Sequence, residues 1–238
     1  MAGDLLLERY GGPAQGVSSK SSETDLVSEA DRASEAAILD LLMRERPSDG
    51  LLGEEGSSRD GDSGRRWVID PLDGTINYLY GFPAWCVSVA LEDADGGLAG
   101  VVHDPLRDET FSASRGAGAF LNGNRVQVNS EEALDHALVA TGFAYQAPVR
   151  AAQSELLTNV LPRVRDIRRA GAAALDLAWV AAGRLDAYFE RGLKPWDWAA
   201  ARLLIAEAGG AVAKLDGDPP GLAAANPVLL PKLLELVA

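Results

Sequence analysis

Ile38, Leu41 and Leu42 recur at helical spacing and predict a helix over 29–46, with Ser28 as its N-cap and Pro47 as its stop. Leu5, Leu6 and Leu7 predict a two-turn helix closed by Gly11-Gly12-Pro13. A helix that short is marginal in isolation unless it docks. The other apolar segments of the first half are too brief for helices. Trp67-Val68-Ile69 reads as a buried strand ending at Asp70, because Pro71 cannot donate to a ladder and turns the chain. Trp85, Val87, Val89 and Leu91 alternate along the chain, which predicts a strand with one buried face. Val101-Val102 and the run 110–113 read as further strands. Phe120-Leu121 and Arg125-Val126 flank Asn122-Gly123-Asn124, a hairpin signal. The polar, glycine-rich stretch 55–64 reads as a loop.

The second half has a different rhythm. It predicts strands at 138–140, at Ile167, at 185–189 and at 211–215. Between them lie helices at 153–164, 172–182 and 196–208, the last closed by Gly209-Gly210. A turn cluster follows at 216–221 and a terminal helix at 231–237. A strand-rich half, 1–133, thus meets an alternating half, 134–238. The expected class is α/β (α+β), with layered sheets and helices in one compact unit and a cleft where the halves meet.

Composition narrows the chemistry. The chain has 238 residues, with one cysteine, Cys86, and two histidines, His103 and His136. An intrachain disulfide is excluded, and a Cys/His zinc site or a nucleophile–histidine mechanism is poorly served. Asp and Glu total 35 against 22 Lys and Arg, for a net charge of −13. Carboxylate oxygens suit the hard cations Mg²⁺, Mn²⁺ and Ca²⁺. The negative charge disfavours nucleic acid or an anionic membrane as the main partner. An anionic substrate is still compatible where metal ions bridge it to the protein. No apolar run is long enough to span a bilayer. Residues 1–10 lack the marks of a signal peptide, so a cytoplasmic location is the expectation.

Four segments carry the candidate chemistry. In Trp67-Val68-Ile69-Asp70-Pro71-Leu72-Asp73-Gly74-Thr75, a strand end and a turn can aim Asp70 and Asp73 at one point. Gly74-Thr75 opens a short helical segment whose free N–H groups would attract an anion. Two carboxylates beside a phosphate cradle suit two-metal phosphoryl chemistry, although Asp and Gly also serve as plain turn formers. Gly53-Glu54-Glu55 follows a plausible strand end, and by itself reads as a solvated acidic loop. Asp197, in Pro195-Trp196-Asp197-Trp198, stands in the first turn of a helix, where a carboxylate serves equally as a cap. Lys20-Ser21-Ser22 and Asp25 precede Ser28 and Asp31, which fit a capping box.

In this order the segments resemble the inositol monophosphatase family. Asp70 to Thr75 is similar to its first signature, and Trp196 to Gly210 to its second. Gly53-Glu54-Glu55, Lys20-Ser21-Ser22, Asp25 and Asp31 match its N-terminal motif positions. The likeness runs from Lys20 to Asn226-Pro227. It implies a layered αβαβα sandwich, commonly a homodimer, and a magnesium-dependent, lithium-sensitive phosphatase with two to three Mg²⁺ ions. By resemblance, Glu54, Asp70 and the carbonyl of Leu72 hold one ion, and Asp70, Asp73 and Asp197 a second. A third, weaker ion lies near Glu54. Asp31 and Thr75 orient and deprotonate the attacking water, with Glu54 completing the catalytic set. The N–H groups of Gly74 and Thr75 bind phosphate. Glu190 receives substrate hydroxyls, Gly171-Ala172-Ala173 forms a small-residue turn that admits the substrate, and Asp73 and Asp197 also face it.

The expected reaction is hydrolysis of inositol monophosphate to inositol and phosphate. Histidinol phosphate, fructose 1,6-bisphosphate or a 3′-phosphoadenosine nucleotide are the alternatives. A non-catalytic regulator tied to RNA processing or transcription is disfavoured by the charge and by the full set of ligands. One departure is the start of the chain, where family members usually have a longer helix.

Overall fold

The computed structural model describes residues 1–12, 15–19 and 26–238. Lys20, Ser21, Ser22 and Asp25 lie outside the described residues. The chain begins with α1 (Ala2–Arg9), the two-residue strands β1 (Ser18–Ser19) and β2 (Leu26–Val27), and α2 (Glu29–Glu45). Next come β3 (Gly50–Gly53), β4 (Ser58–Arg59), β5 (Arg66–Asp73), α3 (Thr75–Tyr80), β6 (Cys86–Asp93), β7 (Gly96–Asp104), β8 (Glu109–Ser114), β9 (Gly118–Leu121) and β10 (Asn124–Val126). The second half runs β11 (Leu138–Thr141), α4 (Ala147–Val160), β12 (Asp166–Arg168), α5 (Ala173–Ala181), β13 (Ala187–Arg191), α6 (Pro195–Glu207), β14 (Ala211–Leu215), β15 (Gly221–Ala225) and α7 (Leu229–Val237).

These elements stack as an αβαβα sandwich. α1 and α2 cover one face of an eight-stranded sheet of order β10-β9-β8-β7-β6-β5-β3-β4. α5 and α6 fill the middle. A five-stranded sheet, β12-β11-β13-β15-β14, follows, with α4 and α7 outside it. Between two sheets a helix has no solvent face, so it must be apolar all round. In α5, Ala174, Leu175, Leu177, Ala178, Val180 and Ala181 are all buried. Small side chains let the layers approach closely. A Cβ on Gly100 of β7 would lie 2.8 Å from the carbonyl oxygen of Ala200 in α6.

Several expectations change in the structure. β5 does not stop at Asp70. It continues through Pro71 to Asp73 with a register shift between those two aspartates, because a bulge accommodates the residue that cannot donate. The strand read as half-buried, β6, is buried on both faces at its start. Trp85 and Val87 pack under α1 and α2, and Cys86 and Ala90 pack toward α5 and α6. The helix expected at 153–164 begins earlier, at Ala147, with Pro148 in its first turn, and yields to a 3-10 turn at Leu161–Arg163. β4 lies within the stretch read as a loop. β15 was not predicted, since Ala223-Ala224-Ala225 favours a helix in isolation. Pairing with β13 and β14 on either side overrides that preference. The short first helix docks: Leu6 is buried, and Tyr78 Oη donates to its carbonyl at 2.8 Å.

Gly100→Ala forces β7 and α6 apart at backbone rather than side-chain contacts. It should lower stability by about 1–3 kcal/mol, read as a lower urea midpoint with an unchanged m-value. An unchanged midpoint would show that the layers have slack at this crossing.

Candidate active site

The bulge at the end of β5 aims two acids into the space between the sheets. Asp70 Oδ1 accepts the N–H of Leu72 at 3.0 Å. Gly74 then takes φ 91° as the N-cap of α3. Only glycine suits this position, because a Cβ would also sit 2.9 Å from the carbonyl oxygen of Ala84. Thr75 Oγ1 lies 2.7 Å from Asp31 Oδ1 and 3.1 Å from the carbonyl of Leu72. The other oxygen of Asp31 accepts from Ser28, at 2.8 Å from the backbone N–H and 2.5 Å from the hydroxyl. Asp31 is therefore both the third-position member of the α2 capping box, with Ser28 as the N-cap, and the partner of Thr75. The Leu72 carbonyl is turned toward Thr75.

β3 runs parallel to β5 with Gly53 opposite Ile69, and the N–H of Glu54 donates to Ile69 at 3.1 Å. That register sets Glu54 beside Asp70. From the second half, Asp197 stands in the first turn of α6, and its Oδ2 accepts the N–H of Lys194 at 2.6 Å. The capping role expected of it is present. Asp73 accepts the N–H groups of Ala173 at 3.2 Å and Ala174 at 2.7 Å, at the N-terminus of α5. The Gly171-Ala172-Ala173 turn thus lies against Asp73. Glu190, in β13, accepts a hydrogen bond from the Tyr188 hydroxyl and packs against the backbone of Gly142.

Charge accumulates here without basic partners. Asp70, Asp73 and Asp197 form no ion pair among the described residues. Burial, then the charges of Glu54, Asp73 and Asp197, push the Asp70 carboxyl well above the usual range. Burial raises Asp73 to about 6, against the pull of the Ala174 N–H. Asp197 is likewise pushed well up, chiefly by burial. Like charges held together in a dry site call for a cation, and a set of carboxylate and carbonyl oxygens is the donor chemistry of Mg²⁺. Among the described residues no three acid, His or Cys side chains are already drawn up as a metal cage. The oxygens of Asp70, Asp73 and Asp197 are turned onto backbone N–H groups instead.

Three residues of this region were not anticipated. Asn77 Nδ2 donates to the carbonyls of Ala84 at 2.6 Å and Ala170 at 2.8 Å, tying α3 to the turn before α5. Tyr188 is fully buried behind Glu190. Asp176 is a buried acid in α5. Its signal was present in the sequence, as one acid inside the apolar run 172–182.

A family model described as "Inositol monophosphatase family" matches residues 1–238. The chain is 49% identical over 201 residues to a "Nus factor SuhB" of Xylella fastidiosa, covering 84% of this chain and 73% of that protein. It is 47% identical over 188 residues to an "Inositol-1-monophosphatase" of Rhizobium meliloti, covering 78% and 71% respectively. The crystal structure of extragenic suppressor protein suhB from Bartonella henselae superposes with a TM-score of 0.94 at 41% identity, over 99% of this chain and 93% of that one. An IMPase of Thermotoga maritima superposes with a TM-score of 0.90 at 32% identity, over 99% and 92%.

Glu190 provides a pH test. Burial raises its carboxyl from 4.5 to about 7, against the Tyr188 hydrogen bond and the Arg169 charge, which pull it down. The folded state therefore holds this proton more tightly than the unfolded chain. Its contribution to stability is full below about pH 4.5 and is lost as the pH rises through about 7. Glu190→Gln should gain on the wild type between pH 4.5 and 8 by up to about 3 kcal/mol, measured by urea unfolding in EDTA. A difference that does not vary with pH would mean that Glu190 titrates normally.

Proposed function

This chain belongs to the inositol monophosphatase family, and we propose that it is a phosphatase that hydrolyses inositol monophosphate. The observation that carries this reading is the convergence of buried Asp70 and Asp73 with half-buried Asp197, none of them in an ion pair among the described residues, next to the hydrogen-bonded pair Thr75–Asp31. In this reading Glu54, Asp70, Asp73, Asp197 and the Leu72 carbonyl would hold Mg²⁺. The metal, when bound, supplies neutralisation of the phosphate charge and acidification of water.

The chain's own groups do the rest. Thr75 Oγ1 donates its hydrogen to Asp31, which leaves its lone pairs to orient the attacking water; as Oγ1 takes the water's proton its own passes to Asp31, which ends as the carboxylic acid. The backbone N–H groups of Gly74 and Thr75 bind the phosphate. Attack is in line, with no covalent phosphoenzyme. Residues 1–133 and 134–238 then act as one catalytic unit, since Asp73 comes from the first and Asp197 from the second.

Glu190 supports a polyol over the alternatives, histidinol phosphate, fructose 1,6-bisphosphate and a 3′-phosphoadenosine nucleotide. Its carboxyl, backed by Tyr188, is suited to accept several hydroxyls. The Rhizobium relative named Inositol-1-monophosphatase supports the same substrate. Lithium sensitivity and a homodimer belong to this reading too. Relatives named Nus factor support a second role beside hydrolysis. Against those names the expectation of no nucleic-acid partner is not carried forward. Among the described residues no helix is long and apolar enough to cross a membrane.

EDTA should abolish phosphate release from inositol 1-phosphate, and Mg²⁺ should restore it. Full activity in excess EDTA would sink the metal-dependent reading.

Asp73→Asn keeps one acceptor for the α5 amides but loses the charge. Turnover should fall by at least about 100-fold, while the loss of one of the two α5 amide contacts should cost no more than about 1–3 kcal/mol of stability. Wild-type turnover at saturating Mg²⁺ would remove Asp73 from the ligand set.

A further inference from the structure

Helix α2 turns polar side chains as well as apolar ones inward. Asp31, Ser34, Glu35 and Ile38 recur at helical spacing on one face, and all are buried. Asp31 meets Thr75. Ser34 Oγ donates to the carbonyl of Pro71, in the bulge between Asp70 and Asp73, at 2.8 Å. Glu35 has no task in the reading above, although it is only 3% exposed. The face that packs Ile38 and Leu42 into the core would take an apolar residue here without loss of hydration.

Glu35 reaches the turn between β3 and β4. Its Oε2 accepts the N–H of Glu55 at 2.9 Å, and its Oε1 accepts the Ser57 hydroxyl. The carboxylate lies so close to Gly53 that a Cβ there would stand 2.7 Å from Oε2. The turn also closes on itself, with the N–H of Gly53 donating to the carbonyl of Ser57 at 2.7 Å. Glu54 therefore sits between two residues held by Glu35, while its own N–H is held by Ile69 of β5. The direction of its side chain follows from a backbone fixed on both sides.

We propose that Glu35 is a positioning residue that fixes the backbone of Glu54 and thereby sets how tightly the site holds a divalent cation. This deepens the metal-dependent reading and rests on it. Both oxygens of Glu35 are engaged by the β3–β4 turn, so it acts through Glu54 rather than as a further ligand.

The test compares Glu35→Ala with Glu35→Gln, which keeps an acceptor for the Glu55 N–H and an amide group to pair with Ser57. Mn²⁺, which suits the same oxygen donors, is titrated without substrate and its free fraction read by electron spin resonance. Amide exchange is measured in EDTA, and turnover of inositol 1-phosphate is followed against Mg²⁺ concentration. In Glu35→Ala one class of Mn²⁺ site should weaken about tenfold. Half-saturating Mg²⁺ should rise about tenfold, with kcat at saturation within about threefold of the wild type. Exchange should quicken over 53–57 and stay unchanged over 29–45. Glu35→Gln should restore each readout. In a Glu54→Gln background, Glu35→Ala should add no further loss of Mn²⁺ affinity. Unaltered Mn²⁺ affinity, a loss that adds to that of Glu54→Gln, or exchange quickened throughout α2 would overturn the proposal. If Glu35→Ala does not fold, Glu35→Leu, which fills the space without an acceptor, carries the same comparison. If the wild type hydrolyses no phosphate monoester, the proposed function falls, and Mn²⁺ binding and exchange, which need no substrate, still decide the role of Glu35. A wild type that binds no Mn²⁺ overturns both.

Discussion

The bond between Asp73 and the first amides of α5 is the contact on which the rest of the arrangement depends. Asp73 ends a strand of the eight-stranded sheet, and Ala173 and Ala174 open the buried helix a hundred residues later. A carboxylate at a helix N-terminus satisfies donors that have no partner in the helix and complements the dipole. Here the cap comes from the other half of the chain, so helix termination and the joining of the halves are one interaction. Asn77 adds a second tie, from α3 to Ala170.

The same geometry creates a tension. Drawing Asp70, Asp73 and Asp197 toward one dry region raises all three carboxyls, with burial the first cause at each. Backbone N–H groups relieve some of that cost by donating to Asp73, Asp197 and Asp70. A hard cation would relieve more. The fold tolerates the charge because the acids end elements that are otherwise held by apolar packing, with Ile69 and Leu72 of β5 and Leu204 and Ile205 of α6 all buried.

Small residues let these ends meet. Gly100 brings β7 onto α6, Gly74 lets the chain turn under Ala84, and the alanines of α5, α6 and β15 let helices lie flat between sheets. A layer of larger side chains would widen the gap and draw Asp73 away from the α5 amides. Packing and site geometry are therefore set by the same positions.

Much of this was legible in local patterns. Ser28 and Asp31 as a capping pair, the Asn122-Gly123 hairpin, Gly74 at the head of α3 and Asp197 in the first turn of α6 follow from neighbours a few residues apart, where backbone sterics and helix-end chemistry decide. The spacing within Asp70 to Thr75 also bound those residues to one turn. What needed the tertiary structure depends on partners far along the chain. Ala223-Ala224-Ala225 became a central strand because β13 and β14 lie on both sides. β6 lost its solvent face because helices cover both sides of the sheet. Asp176 is a buried, strongly perturbed acid only because two layers close over it. Local sequence sets what a segment can form from its own backbone and nearest side chains. Burial, and the partners it brings together across a hundred residues, are properties of the packed layers.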